Sequence, residues 1–267
     1  MRVLATVAPV RRREESALSQ PAAPSLPEPM PRTENFLRRI VVGPAFSAFT
    51  RLTVEGHEHV PATGPAMIAS NHQSYLDSIV IPIAARRPVR FIAKAEYFTG
   101  TGVMGAINRL WFGGMGAIPV DRADPRAAVR SLELAEEVLR AGGAFGIYPE
   151  GTRSRDGRLH RGRTGIARIA IATGAPIIPC AITGTADVQG PDEKGIHRAK
   201  VTVRFGPAID VASLQAQFTK AKLLRAITDA TMDAIGDMSP QERSGRYASD
   251  VNAEIAAREA GETLGDA

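Results

Sequence analysis

The chain has 267 residues, 44% hydrophobic and 23% charged, enough for one large soluble domain or two small ones with a packed core. A single cysteine, Cys180, excludes an internal disulfide and a cysteine-based zinc site. The 33 Lys and Arg against 28 Asp and Glu leave a net charge of +5, with a pI of about 9.7, which favours an anionic partner such as nucleic acid, anionic lipid or a phosphorylated substrate.

Pro, Ala, Ser and charge dominate residues 1–33, which are predicted to be a disordered tail. Its short apolar stretch precedes the cluster Arg11–Arg13, the reverse of secretory-signal order. No run of 18 apolar residues occurs, so no ordinary membrane-spanning helix is expected. Phe36, Leu37, Ile40, Val41 and Phe46 beside Arg38 and Arg39 predict an amphipathic helix over 34–49. It either lies on a membrane surface or packs on its own domain, and Gly43 and Pro44 interrupt it. Strands follow at LTVEG and AMIAS, then a helix at YLDSIVIPIAA, a strand at RFIAK, a helix at VMGAINRLWF and a strand at GAIPV. The clearest helix spans residues 124–142, with Asp124 as cap, Pro125 in the first turn and Gly142 at its end. AFGIYP is a strand, TGIARIAIATG a helix, PIIPCAIT and KVTVRFG strands, and residues 213–238 one long helix. The remainder, 241–267, reads as a polar tail, partly helical and fraying. Strands alternating with helices predict a single α/β domain around a mixed, largely parallel sheet flanked by helices.

Two stretches carry chemistry. In NHQSYLDS, His72 precedes Asp77 by five residues. On a continuous helix the two would point about 140° apart. They meet only if His72 lies before the helix and Asp77 in its first turn. Ser74 is a good N-cap, so the stretch supports that arrangement. Asp77 then accepts from Nδ1 and Nε2 serves as a base. The alternative is structural: Ser74 and Asp77 form a loose capping box and nothing more. Ser74 or Ser78 as a nucleophile is a third reading. No G-x-S-x-G elbow occurs, which favours a base acting on a substrate hydroxyl.

The second stretch, YPEGTRSRDGRLHRGRTG, follows a strand and so emerges at a strand's C-terminal edge, where open α/β sheets bind ligands. Glu150, Gly151, Thr152 and Arg153 are the candidate binding residues there. Arg suits phosphate through paired N–H donors, and Gly151 lets the backbone approach a ligand. Arg155 and Arg158 read as solvated charge. The stretch is not a nucleotide-binding P-loop. His57 and His59 lack metal-site spacing and predict a surface turn; no metal is expected. His160 and His197 read as ordinary surface residues, and TGTADVQG as a loop. Aromatic residues are only 5%, without a basic–aromatic platform, which argues against nucleic acid.

The ordered blocks NHQSYLD, AKAEYF, GAIPVDR, YPEGTRS and GAPIIPCAI resemble the 1-acyl-sn-glycerol-3-phosphate acyltransferases, across roughly residues 50–207. The resemblance implies an acyltransferase domain at 34–240 with the glycerolipid acyltransferase type of α/β fold. It implies acyl transfer from acyl-CoA, or from acyl-carrier protein, to the sn-2 hydroxyl of lysophosphatidate, giving phosphatidate in phospholipid biosynthesis. Another lysophospholipid or glycolipid acceptor, or a non-enzymatic anionic-lipid binder, is the alternative. By the same resemblance His72 is the general base, Asp77 orients it, Arg153 belongs to the acceptor-phosphate block, and Lys94 and Arg122 are basic positions facing the same anion. Pro179 shapes the strand near the acyl chain. No cofactor beyond the acyl donor is implied. The implied location is the cytoplasmic face of the cell membrane, peripheral or monotopic, on an anionic membrane surface. Tyr148 stands where Phe is common in the family, Cys180 where Val is, and Arg163 where Lys is.

Overall fold

The computed structural model describes residues 43–94, 118–120, 126–191 and 195–262. The tail at 1–33, most of the 34–49 helix, the VMGAINRLWF helix, Arg122 and the Asp124–Pro125 cap lie outside the described residues.

Six strands form the main sheet: β1 (Thr53–Glu55), β2 (Ala66–Ser70), β3 (Val89–Arg90), β6 (Ala144–Ile147), β7 (Ile177–Thr183) and β8 (Thr202–Phe205). The two between, β4 (Ile92–Lys94) and β5 (Ile118–Val120), form a separate parallel pair. The order in the main sheet is β1-β8-β7-β2-β6-β3, and only the β7/β8 pairing is antiparallel. The chain is therefore a single α/β domain with a mostly parallel sheet, as its alternating pattern predicts. Helices are α1 (Gly43–Thr50), α2 (Asp77–Ala84), α3 (Ala127–Arg140), α4 (Gly165–Thr173), α5 (Thr185–Val188), α6 (Val211–Gln217), α7 (Lys220–Met238) and α8 (Ala248–Glu262). None of the described helices is long and apolar enough to cross a membrane.

The period of two along each strand sorts the core into two layers. Met67 and Ala69 of β2 join Leu134, Val138, Ile166, Ile169, Ile227 and Ile235 from α3, α4 and α7. Ala66 and Ile68 turn the other way and pack with Ile79, Val80 and Ile81 of α2, and with Ile178, Cys180 and Ile182 of β7. Both faces are covered, which is why the central strands read as continuous apolar runs.

Two predicted elements are split. RFIAK breaks at Phe91, leaving β3 in the main sheet and β4 outside it. At the break the Phe91 ring fills the space beside Gly146, where an added Cβ would lie 2.1 Å from it. The predicted 213–238 helix breaks at Phe218 and Thr219, both extended. Leu214 and Ile227 both pack on the core. On one unbroken helix they would lie about 140° apart, so the turn lets each face inward. Residues 248–262, read as part of a polar tail, form the 15-residue helix α8.

Candidate active site

Three neighbouring parallel strands, β7, β2 and β6, end at the same edge of the sheet. The loop after each delivers polar side chains to that edge, the usual ligand-binding edge of such sheets.

Asn71 leaves β2 and is locked to β7. It accepts the Ile182 N–H at 2.8 Å and donates to the Ile182 carbonyl at 2.8 Å and to Gln241 Oε1 at 2.6 Å. His72 follows, with its backbone held by the loop after β6. Its N–H donates to Glu150 Oε1 at 3.1 Å, and its carbonyl accepts from the Ser154 N–H at 2.8 Å. Its Nδ1 lies 2.9 Å from Asp77 Oδ2. A carboxylate only accepts, so Nδ1 carries the proton and Nε2 is the basic ring nitrogen.

Asp77 opens α2 and is fully buried. Besides His72, Oδ2 accepts the N–H groups of Gln73 at 2.7 Å and Ser74 at 2.9 Å, while Oδ1 accepts the Thr185 hydroxyl at 2.6 Å. Four donors offset the desolvation of a buried charge. The two roles weighed for Asp77 therefore coexist: it fastens the loop before the helix and it orients the imidazole. Ser74 is not the helix cap. The helix starts three residues later, and the Ser74 hydroxyl donates to the Gln189 carbonyl at 2.7 Å while accepting weakly from the Leu76 N–H at 3.3 Å. Ser78 shares a 2.7 Å hydrogen bond with the Tyr148 hydroxyl.

Tyr148, noted in the sequence only as a departure from Phe, stacks on His72 with ring centroids 3.7 Å apart and planes 8° apart. Phe91 backs it at 5.5 Å. A relay of contacts thus runs from Gly146 through Phe91 and Tyr148 to the imidazole. Burial, followed by nearby Asp77, raises the Tyr148 phenol well above its ordinary value, so it stays neutral.

Glu150 is fully buried and faces the two loops. Its second oxygen accepts the His160 N–H at 2.9 Å. Burial pushes its carboxyl up to about 8, against the pull of these two backbone donors. The structure thus shows Glu150 bridging the backbones at His72 and His160. Gly151 has φ +81° and closes the turn onto the Tyr148 carbonyl at 2.9 Å; a side chain there would be strained and would press on Arg163. Thr152 is half-buried beside it. His160 corrects the surface reading: it is 2% exposed, pairs with Asp156 at 2.8 Å, and its Nδ1 is buried without a partner. Residue 159 bridges Arg243, which draws 159–161 beneath the chain leading to α8.

The loop arginines differ in partner. Arg155 pairs with Glu259 at 2.9 Å and Arg158 with Glu242 at 2.7 Å. Arg153 has neutral partners: the Tyr75 hydroxyl at 2.8 Å, the face of the Tyr75 ring, and the Pro191 carbonyl. Lys94 ends β4 opposite Val120. His57 and His59 form a short 3-10 turn, and His197 is exposed. Among the described residues, no group of three or more His, Cys, Asp or Glu is gathered for a metal. Thr185 and Tyr148 are the site residues that sequence reasoning missed. Each follows a strand neighbouring β2, a closeness that only the strand order reveals.

A histidine of fixed tautomer, bonded through its backbone to a loop whose Arg153 pairs with no carboxylate among the described residues, could move a proton off a hydroxyl of an anionic molecule. The fold and these loops place the chain in the acyltransferase class of α/β proteins. The chain belongs to the Acyltransferase family, whose model matches residues 51–183. It is 31% identical over 163 residues to a chloroplastic 1-acyl-sn-glycerol-3-phosphate acyltransferase of Arabidopsis thaliana, covering 61% of this chain and 44% of that protein. A protein of the same description from Borreliella burgdorferi is 27% identical over 179 residues, covering 67% and 69%. The crystal structure of the 1-acyl-sn-glycerophosphate acyltransferase PlsC from Thermotoga maritima superposes with a TM-score of 0.58 at 25% identity, covering 78% and 84%. The chain spans less than half the length of the two plant proteins it matches at 31% identity.

Proposed function

We propose that this acyltransferase moves an acyl chain from acyl-CoA, or from acyl-carrier protein, to the sn-2 hydroxyl of 1-acyl-sn-glycerol 3-phosphate, giving phosphatidate. The observation that carries the reading is the His72 Nδ1 to Asp77 contact at 2.9 Å. His72 Nε2 takes the proton of the acceptor hydroxyl while that oxygen attacks the thioester carbonyl. The C–O bond forms, the C–S bond breaks, and the thiolate leaves with the proton returned from the imidazolium. Asp77 stabilises that imidazolium. Arg153, with Lys94 and Arg122, holds the acceptor phosphate and so positions the hydroxyl. The names of the relatives support the acceptor, and the net charge of +5 supports work at an anionic membrane surface, peripheral or monotopic, on the cytoplasmic face.

The test is to incubate the purified protein with oleoyl-CoA and lysophosphatidate in mixed micelles, beside His72→Ala. Free CoA and phosphatidate from the wild type alone are the expected result. An acyl-enzyme trapped with labelled donor would replace this mechanism with a covalent one. Absence of product with every lysolipid and both donor types would end the reading.

A further inference from the structure

Tyr75 follows His72 by three residues, in the loop before α2, and is 40% exposed. The Arg153 guanidinium carbon stands 3.7 Å over the centre of its ring, and Nη2 donates to its hydroxyl at 2.8 Å. Nη1 donates to the Pro191 carbonyl. The Arg153 backbone carbonyl accepts from Asn252 Nδ2 at 2.8 Å. Both ends of Arg153 are therefore held, and among the described residues none of the groups that hold it is an anion.

We infer that Tyr75 is a positioning residue of the acceptor site: its ring and hydroxyl hold the Arg153 guanidinium in place for an acceptor phosphate without cancelling its charge. The inference rests on the acceptor reading above. A long flexible side chain loses rotamer freedom when it grips a ligand, and holding it beforehand lowers that cost. A carboxylate would fix Arg153 as well, as Glu259 and Glu242 fix Arg155 and Arg158. It would also compete with phosphate for the same N–H donors. An aromatic face fixes the guanidinium through its quadrupole and leaves the net positive charge for the ligand. The exposure of Tyr75 means that little of the core depends on it.

The experiment compares wild type, Tyr75→Phe, Tyr75→Leu, Arg153→Ala and the Arg153→Ala/Tyr75→Leu double variant, with melting temperature as a check on folding. The phenylalanine variant keeps the stacked face and loses the hydroxyl. The leucine variant loses both. Tyr75→Leu is expected to raise the lysophosphatidate KM about tenfold, ~1.4 kcal/mol, with kcat and donor KM unchanged, and Tyr75→Phe about threefold. In the Arg153→Ala background Tyr75→Leu should add nothing, because the two act as one unit. Binding of glycerol 3-phosphate to the same five proteins by calorimetry repeats the comparison without turnover. An acceptor KM and glycerol 3-phosphate affinity unaltered by Tyr75→Leu would overturn the inference. So would an equal further loss in the double variant, since Tyr75 would then act on its own. If the wild type transfers no acyl chain, the proposed function fails, and the calorimetric comparison still decides whether Tyr75 supports phosphate binding by Arg153. Absence of both transfer and binding in the wild type overturns both.

Discussion

Asp77→Asn replaces one carboxylate oxygen with an amide nitrogen and removes one negative charge. The amide oxygen can keep the bonds from the Gln73 and Ser74 N–H groups, made at 2.7 and 2.9 Å. The amide nitrogen then faces Thr185, whose hydroxyl can turn round and accept. The start of α2 is preserved. What disappears is the anion whose oxygen lies 2.9 Å from Nδ1 of the base. With charge centres ~4 Å apart and an effective dielectric of about 20, that attraction to the imidazolium is ~4 kcal/mol. The amide dipole recovers part of it, which leaves a loss in kcat of about 10²- to 10³-fold. Thioester consumption and phosphatidate formation would be followed at saturating donor and acceptor, with a thermal melt of each protein. Both KM values should stay within about threefold and the melting temperature within a few degrees. A folded variant retaining more than about a tenth of the wild-type kcat would falsify the charge-stabilising role and leave Asp77 as a fastener of loop and ring alone.

His72→Ala should lower kcat by about 10²- to 10⁴-fold, the range of a lost general base, with the fold intact by circular dichroism; near-normal turnover would end the assignment. Arg153→Ala should raise the acceptor KM about 10- to 100-fold, whereas Arg158→Ala, which breaks only an exposed pair with Glu242, should leave it within about twofold. Equal effects from the two would place phosphate binding elsewhere. Glu150 carries a pH signature. Its carboxyl stands at about 8 in the fold against an ordinary 4.5, so between those values the folded protein holds more protons than the unfolded chain. Its contribution to stability is complete below the lower value and is lost as pH rises through the upper one, at up to about 1.4 kcal/mol per pH unit. Urea melts between pH 5 and 8 should show that fall, and Glu150→Gln should flatten it; an unchanged slope in the variant would rule Glu150 out as its source.

The pairing of His72 with Asp77 was legible because it is local: five residues, a helix start and a geometric argument about which side of that start each occupies. The sheet was legible because its strands alternate with helices along the chain. Tyr148 and Thr185 were not, because their nearness to His72 and Asp77 depends on β6 and β7 flanking β2. No spacing along the chain encodes that order. His160 misled for a related reason. Its neighbour Arg158 read as solvent-facing, yet the backbone of Arg161 bonds to Arg246 and the His160 imidazole is buried against Asp156. The C-terminal segment concealed its role because its hold is polar. Glu259, Asn252 and Ser249 reach Arg155, Arg153 and Arg163, and Gln241 reaches Asn71. An apolar stripe announces docking in a sequence; scattered polar contacts do not.

That polar fastening has a consequence for how the enzyme matures. Residues 241–262 emerge from the ribosome after every residue matched by the family model, yet they secure the loop that carries Arg153. At ordinary translation speeds, the ~60 residues separating Thr185 from this segment take roughly 3–12 s to synthesise. For that interval a nascent chain carries His72, Asp77 and Thr185, gains β8 and α7 only as it lengthens, and has the arginine loop untethered. On the proposed function, phosphate recognition is thus the last part of the site to be completed, and an acyl donor meeting the unfinished chain would find no acceptor held in place.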